Sequence, residues 1–475
     1  MKTCFDAIFD KCVGAFKQER SMERARTLAH GLLTNSGRAT ITSFLSAMGK
    51  QFEDWSSSYT LFWKQRMNTD KLFEVALKTA YEQLSSTQMI IAHLDDTIIR
   101  KTGRKVAGTS WKRDPLGPAF STNFIWAQRF MQLSLSIHGK EFNTQSRAIP
   151  IDFQHCPPVK KPAKNCTEQE LKQYKEDKKQ QNLNTKAIER IKLLRTNIDT
   201  LAGKERELFL SVDGSYTNSA ILTKIPQGVT LIGRIRKDAK LNHLPECEKT
   251  KGRKLVYGLD ALTPQEARAD ESIQWLQVKG WAAGKVHDFD VKIIKDLKWR
   301  KAGKAHTVQM VIIRPLGYRL KKTGKMLYRQ PAYLICTDNK LSIEKLLQAY
   351  LWRWEIEVNF RDEKTIMGCG QAQVRNEVAV EKVPQFVVAM SAFLSLADII
   401  ANKTEKQAEI PRPKWEKNLE GNRNSTNTLL NTFQLCLLEE KIGKSFSNFI
   451  TNNNLNMKAH NHYWSWLQPL FYSRK

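Results

Sequence analysis

Met89-Ile90-Ile91-Ala92-His93-Leu94-Asp95-Asp96-Thr97 is an apolar run of strand length that ends in two acids. Continuous apolar runs of roughly four to eight residues read as strands buried on both faces, as in a sheet covered by helices. Glu207-Leu208-Phe209-Leu210-Ser211-Val212-Asp213-Gly214 repeats the pattern, a compact strand closed by an acid. Between them, Phe130-Met131-Gln132-Leu133-Ser134-Leu135-Ser136-Ile137 alternates and meets a turn at Gly139, which predicts a strand pair beside the first. Thr167 to Thr200 is charged and helix-prone, and reads as a long solvated helix, with a DNA-contacting helix as the alternative.

Outward from this centre the texture changes twice. Residues 1 to 85 carry apolar residues at helical spacing (Phe44, Leu45, Met48, Phe52) with Arg20, Arg24, Arg26 and Arg38 between turn signals. This is either a basic helical bundle for a DNA groove or a helical domain with a solvated basic face. Residues 220 to 338 contain many short β-type runs with Trp275, Trp281 and Trp299 among basic residues. From Ser342 the chain reads as helical again. The expectation is an α/β core interrupted late by a β-rich insertion and flanked by helical ends. Its segments are 1–85, a first core part at 86–219 (with the charged segment at 160–205), the insertion at 220–338, a helix at 339–375, and 376–475.

Composition narrows the function. The 475 residues hold 76 Lys plus Arg against 48 Asp plus Glu, a net +28. An excess of that size points to a polyanion, with nucleic acid ahead of an anionic membrane. The longest apolar stretch, Phe386 to Ile400, is interrupted by Ser391, Ser395 and Asp398 and falls short of the roughly 20 residues that span a bilayer. It reads as a core or subunit-facing helix. The N-terminus shows no signal-peptide pattern, and eight cysteines lie scattered without a C-x-x-C pair, as in a reducing, cytosolic compartment. His155-Cys156 reads as a packed turn, and Asp288 and Asp290 as surface acids.

The chemistry concentrates in Tyr350-Leu351-Trp352-Arg353-Trp354-Glu355-Ile356-Glu357-Val358-Asn359-Phe360-Arg361-Asp362-Glu363-Lys364. With Ser342 as N-cap and Gly368 as stop, the segment reads as one helix of about seven turns. Tyr350, Arg353, Glu357 and Lys364 then share one stripe about 21 Å long. A carboxylate between cations and a phenol suits a place where metal and phosphodiester meet. Arg353 and Glu357 are equally an ordinary i,i+4 pair. The acids that close the two upstream strands shift the balance, because three carboxylates from two strands and a helix can hold two divalent ions for phosphoryl transfer.

Tyr350, Arg353, Glu357 and Lys364 match the Y-(2)-R-(3)-E-(6)-K signature, and the chain thereby resembles the DDE transposases of bacterial insertion-sequence family four. Asp95-Asp96-Thr97 looks like that family's first acidic block, and Val212-Asp213-Gly214-Ser215-Tyr216 like its second; 143 residues lie between Asp213 and Glu357. The resemblance implies an RNase H-like core and Mg²⁺-dependent cut-and-paste chemistry at terminal inverted repeats. Two Mg²⁺ ions, with Mn²⁺ as substitute, are expected on Asp96, Asp213 and Glu357. Asp96 is chosen because Thr97 follows it, with Asp95 as the fallback. Tyr350, Arg353 and Lys364 are expected on DNA phosphates. Trp354 is expected either to stack an extruded base or to be buried against the insertion. The implied partners are double-stranded transposon ends, target DNA and a second copy of the chain, in the cytoplasm at the nucleoid. The alternatives are an RNase H-fold nuclease without strand transfer and a non-catalytic DNA-binding regulator.

Overall fold

The computed structural model describes residues 1–118, 120–246, 254–321, 323–404 and 423–438. Five helices open the chain: α1 (Lys2–Asp10), α2 (Glu19–Thr34), α3 (Ile41–Ala47), α4 (Ser56–Trp63) and α5 (Thr69–Tyr81). Their apolar stripes meet in one buried cluster containing Phe5, Phe9, Leu28, Phe44, Phe62 and Phe73. Short side chains fix the starts: Thr40 caps α3 through the Ser43 amide, and Asn68 caps α5 through the Asp70 amide. Of the arginines in this region, Arg26 is tied to Asp10 at 2.6 Å and lies over the Phe9 ring, while Arg20 and Arg38 are exposed.

The sheet follows. Its strands are β1 (Ile90–Arg100), β2 (Ser110–Arg113), β3 (Phe124–His138), β4 (Ser146–His155), β5 (Leu208–Val212) and β6 (Val229–Arg234). Then come β7 (Asn242–His243), β8 (Leu276–Ala282), β9 (Lys285–Lys298) and β10 (Val308–Ile313). A small pair, β11 (Gly317–Tyr318) and β12 (Leu327–Tyr328), precedes β13 (Ala332–Cys336). Eleven of these form one sheet ordered β2-β3-β1-β5-β6-β13-β10-β9-β7, with β4 also on β3 and β8 also on β9. Strand β3 runs antiparallel to β1 and β4 antiparallel to β3, whereas β5 runs parallel to β1 and β6 parallel to β5. The β-type runs after residue 220 extend this same sheet, since β6 pairs with β5 and β13 with β6.

Helices α6 (Glu168–Gln180), α7 (Leu183–Ala202) and α8 (Ser219–Leu222) follow β4 and β5, and α9 (Pro264–Ala269) lies among the later strands. The expected long solvated helix is two helices: α6 buries nothing, while α7 packs Ala187, Ile188, Ile191, Leu194 and Ile198 into the core. A capping box of Thr167 and Glu170 starts α6, and Gly203, at φ +84°, ends α7. The second half of the chain supplies α10 (Ile343–Trp352), α11 (Trp354–Thr365) and α12 (Ala379–Thr404). The apolar stretch at 386–400 lies in α12. That helix is long and apolar enough to cross a bilayer, but 78% of its most apolar window is buried inside the protein. Phe386 and Phe393 are its largest buried side chains, each contributing about 1.5–3 kcal/mol by burial. A last helical segment covers 426–438; the rest of the expected helical C-terminal region lies outside the described residues.

The large mixed sheet with helices at both ends is the α/β, RNase H-like architecture that the resemblance implies. Alternation along β1 separates its side chains into two sets. Ile90, Ala92, Leu94 and Asp96 face the α7 side, and Ile91, His93, Asp95 and Thr97 face the side of α10 and α11.

Candidate active site

The register of the two parallel strands places their acids together. Leu94 of β1 is opposite Val212, the last residue of β5, so Asp95 and Asp213 are neighbours. Asp213 follows the end of its strand, whereas Asp95 sits in the middle of β1, which runs on to Arg100 instead of closing at the acids as expected. Reactive groups at the C-terminal ends of parallel strands are the usual geometry of such sheets. Residues 211 and 213 share parity with Phe209, which packs in the same cluster as Ile91 and α10. Asp213 therefore faces the side that Asp95 faces.

The expected long helix is two helices. α10 ends at Trp352, α11 begins at Trp354, and Arg353 sits at the joint. There the backbone tightens into i,i+3 bonds, Arg353 N–H to Tyr350 O at 3.1 Å and Ile356 N–H to Arg353 O at 3.1 Å. Trp352 anchors the joint: its ring is buried, stacks on His138 at 4.6 Å, and its Nε1 donates to the Thr144 carbonyl. After α11, Gly368 adopts φ +68°, and a Cβ there would stand 2.4 Å from that of Ala39, so only glycine fits.

Arg353 links the helix to the strands. Its Nη1 donates to Asp95 Oδ2 at 3.2 Å and its Nη2 to Glu357 Oε1 at 3.0 Å. The guanidinium carbon lies 5.7 Å from the centre of the Tyr350 ring. Its buried Nε has no hydrogen-bond partner among the described residues. Burial pushes the Asp95 carboxyl up to about 7 against the pull of Arg353, and repulsion from Asp96 and Asp213 adds to the rise. Burial likewise raises the Tyr350 phenol. A carboxyl so placed gains from any further positive charge brought beside it.

Asp96, the acid expected as first ligand, does not join this group. Alternation turns it to the opposite side of the sheet, where the Tyr216 hydroxyl donates to its Oδ1 at 2.6 Å and Arg129 lies 3.5 Å from its Oδ2. Burial beside Asp96 pushes the Tyr216 phenol up. Asp95, the fallback, is the acid on the Glu357 side.

The stripe is also shorter than expected. Tyr350, Arg353 and Glu357 meet, whereas Lys364 lies about 10 Å further along α11. There its ammonium sits over the Phe360 ring at 5.8 Å, and burial lowers its pKa. Trp354 is 58% exposed, which removes the alternative of burial against the later strands. Of the three tryptophans in those strands, Trp299 is core at 4% exposure and Trp275 lies against Lys292. The Trp281 backbone N–H donates to the Gln348 side-chain oxygen at 2.7 Å. His155 stacks on Phe130 as part of the core. Two residues absent from the sequence reading border the site: Gln132, opposite Asp95 in the strand register, and the buried Glu363, whose carboxyl Gln132 reaches at 3.1 Å with its amide turned.

Among the described residues no three His, Cys, Asp or Glu side chains converge as a ready-made metal cluster. A guanidinium stands between two of the candidate ligands instead. The donor set nevertheless suits a hard divalent ion. It comprises oxygen donors only, with one carboxyl raised by burial beside like charges. Residues 9–304 match the family model described as DDE superfamily endonuclease. No curated protein matches the chain. With more than half of its length matched, the chain belongs to the DDE superfamily endonucleases.

Proposed function

We propose that this endonuclease is a DNA transposase that cleaves at the inverted repeats of its own element and joins the freed ends to target DNA. The feature that supports this reading is Arg353, which bonds both Asp95 and Glu357 and lies near enough to Asp213 to respond to its charge. Asp95, in place of Asp96, together with Asp213 and Glu357, would hold two Mg²⁺ ions, with Mn²⁺ as a substitute. When bound, the ions activate water for attack on the phosphodiester and stabilise the departing 3′ oxygen.

The chain's own groups do the rest. Arg353 and Tyr350 orient the phosphate at the reacting bond, and Lys364, about two turns away, holds a phosphate further along the strand. Exposed Trp354 offers a face for an unpaired base, which suits a hairpin intermediate. The helical N-terminal region recognises the repeat, and two copies of the chain bring two ends together at the nucleoid.

Incubation with the element's own ends and Mg²⁺, resolved on a denaturing gel, tests the proposal. Nicked and joined products support it. Nicked products without joining, even from pre-cleaved ends, reduce the protein to a nuclease, and no cleavage refutes the reading.

A further inference from the structure

Beyond the end of β1 the chain does not return to the core but forms a ribbon of β2 and the first part of β3. The turn between them closes through the Asp114 N–H on the Asn123 carbonyl at 2.8 Å. Trp111 is opposite Trp126, and Arg113 opposite Phe124, so these four side chains share one face of the ribbon. The two indoles meet edge to face at 5.4 Å, and Trp126 is held by its Nε1 donating to the Gly103 carbonyl. Trp111 and Phe124 are each more than half exposed, and Leu116 and Phe120 at the tip project almost wholly into solvent. Apolar exposure of this concentration marks a binding surface.

Its charge selects the partner. Arg113 shares the aromatic face and Arg104 and Lys105 are exposed in the loop before it, while Asp114 is the one acid from Arg100 to Phe124. Aromatic faces among cations with so little opposing charge fit unpaired nucleic acid, whose phosphates take the cations and whose bases stack on the rings.

Position connects the ribbon to the active site. Trp126 shares parity along β3 with Gln132, the residue opposite Asp95. The aromatic face therefore continues the side of the sheet that carries Asp95, beyond the loop where Lys101 donates to the Gly370 carbonyl. Six residues of strand separate the two, about 20 Å, or about six base steps.

We infer that the β2–β3 ribbon is a second DNA-binding site, which takes an unpaired strand about six nucleotides from the scissile phosphate by stacking on Trp111 and Phe124. The inference rests on the reading of the protein as a DNA-cleaving enzyme, but its test needs no cleavage.

The probe is a fluorescein-labelled oligothymidine of about a dozen nucleotides, titrated with the full chain in EDTA and followed by anisotropy, beside a duplex of equal length. The double variant Trp111→Ala/Phe124→Ala binds the single strand at least about tenfold more weakly, and the duplex less than about threefold more weakly. The variant Trp111→Phe/Phe124→Tyr restores most of the affinity. Arg104→Ala/Lys105→Ala, at exposed positions, weakens binding and lowers the single-strand salt slope by about 1.4. Wild-type affinity in the alanine variant, equal loss on both probes, or absence of single-strand binding by the wild type overturns the inference. So does a change of light-scattering mass on Trp111→Ala/Phe124→Ala, which makes the ribbon a contact between copies. Nicking of the element's ends, measured separately, tests the transposase reading.

Discussion

Asp95 and Glu357, separated by 261 residues of sequence, share a single cation: the Arg353 guanidinium bonds the first at 3.2 Å and the second at 3.0 Å. The pair is largely buried on the Arg353 and Asp95 side and more open at Glu357. The arginine thus balances two carboxylates that would otherwise repel each other and Asp213.

This arrangement makes Arg353 a competitor for metal. Replacing it in Arg353→Gln removes the positive charge while leaving the acids, and Mn²⁺ binding in the absence of DNA is expected to tighten by about tenfold. Electron paramagnetic resonance of free Mn²⁺ reads this directly. Unchanged or weaker binding would mean that the three acids are not the ligands.

Glu357→Gln keeps the shape of the side chain and removes its charge. DNA binding measured by anisotropy stays within about threefold of wild type, and Mg²⁺-dependent nicking falls by at least about 10²-fold. Nicking at the wild-type rate would exclude Glu357 from the chemistry.

Asp96 has a structural task in this account. Asp96→Ala leaves the Tyr216 hydroxyl without its acceptor and Arg129 without its ion-pair partner on the α7 side of the sheet. A loss of roughly 1–3 kcal/mol in urea unfolding is expected, with nicking of the folded protein retained.

Glu363 sets a pH dependence of stability. Burial beneath α11 pushes its carboxyl up to about 8 from an ordinary 4.5, with Lys364 and Gln132 opposing the rise. Below pH 4.5 the group is protonated in both the folded and unfolded chain. Between 4.5 and 8 only the unfolded chain releases the proton, so this group makes stability fall as pH rises through that window. Glu363→Gln is expected to flatten the fall and to raise stability at pH 8 by on the order of a few kcal/mol. Chemical denaturation at pH 5 and pH 8 checks it, and an unchanged pH slope in Glu363→Gln would contradict it.

The two core strands were legible because continuous apolar runs have one sensible place in a helix-covered sheet. The end of the first was not: β1 runs through Asp95 and Asp96 to Arg100, because its polar second half is paired with β3. Which of Asp95 and Asp96 faces Glu357 was not legible, since it depends on the pairing of Leu94 with Val212, a long-range register that no local pattern encodes. The strict alternation from Ile90 was the available signal, but without the partner strand it fixes no side. The break at Arg353 was hidden for a similar reason: helix propensity runs unbroken through Tyr350 to Lys364, and it is the seating of Trp352 against His138 that fixes the joint. The pairing of β13 with β6, through which the later strands join the main sheet, was not legible because it links segments separated by long intervening loops.

The most direct test sets Asp95→Asn beside Asp96→Asn on the element's own end DNA, with Mg²⁺ and a denaturing gel. The account predicts no nicked product from Asp95→Asn and clear nicking by Asp96→Asn. Cleavage by Asp95→Asn, with Asp96→Asn inactive though folded, would contradict it.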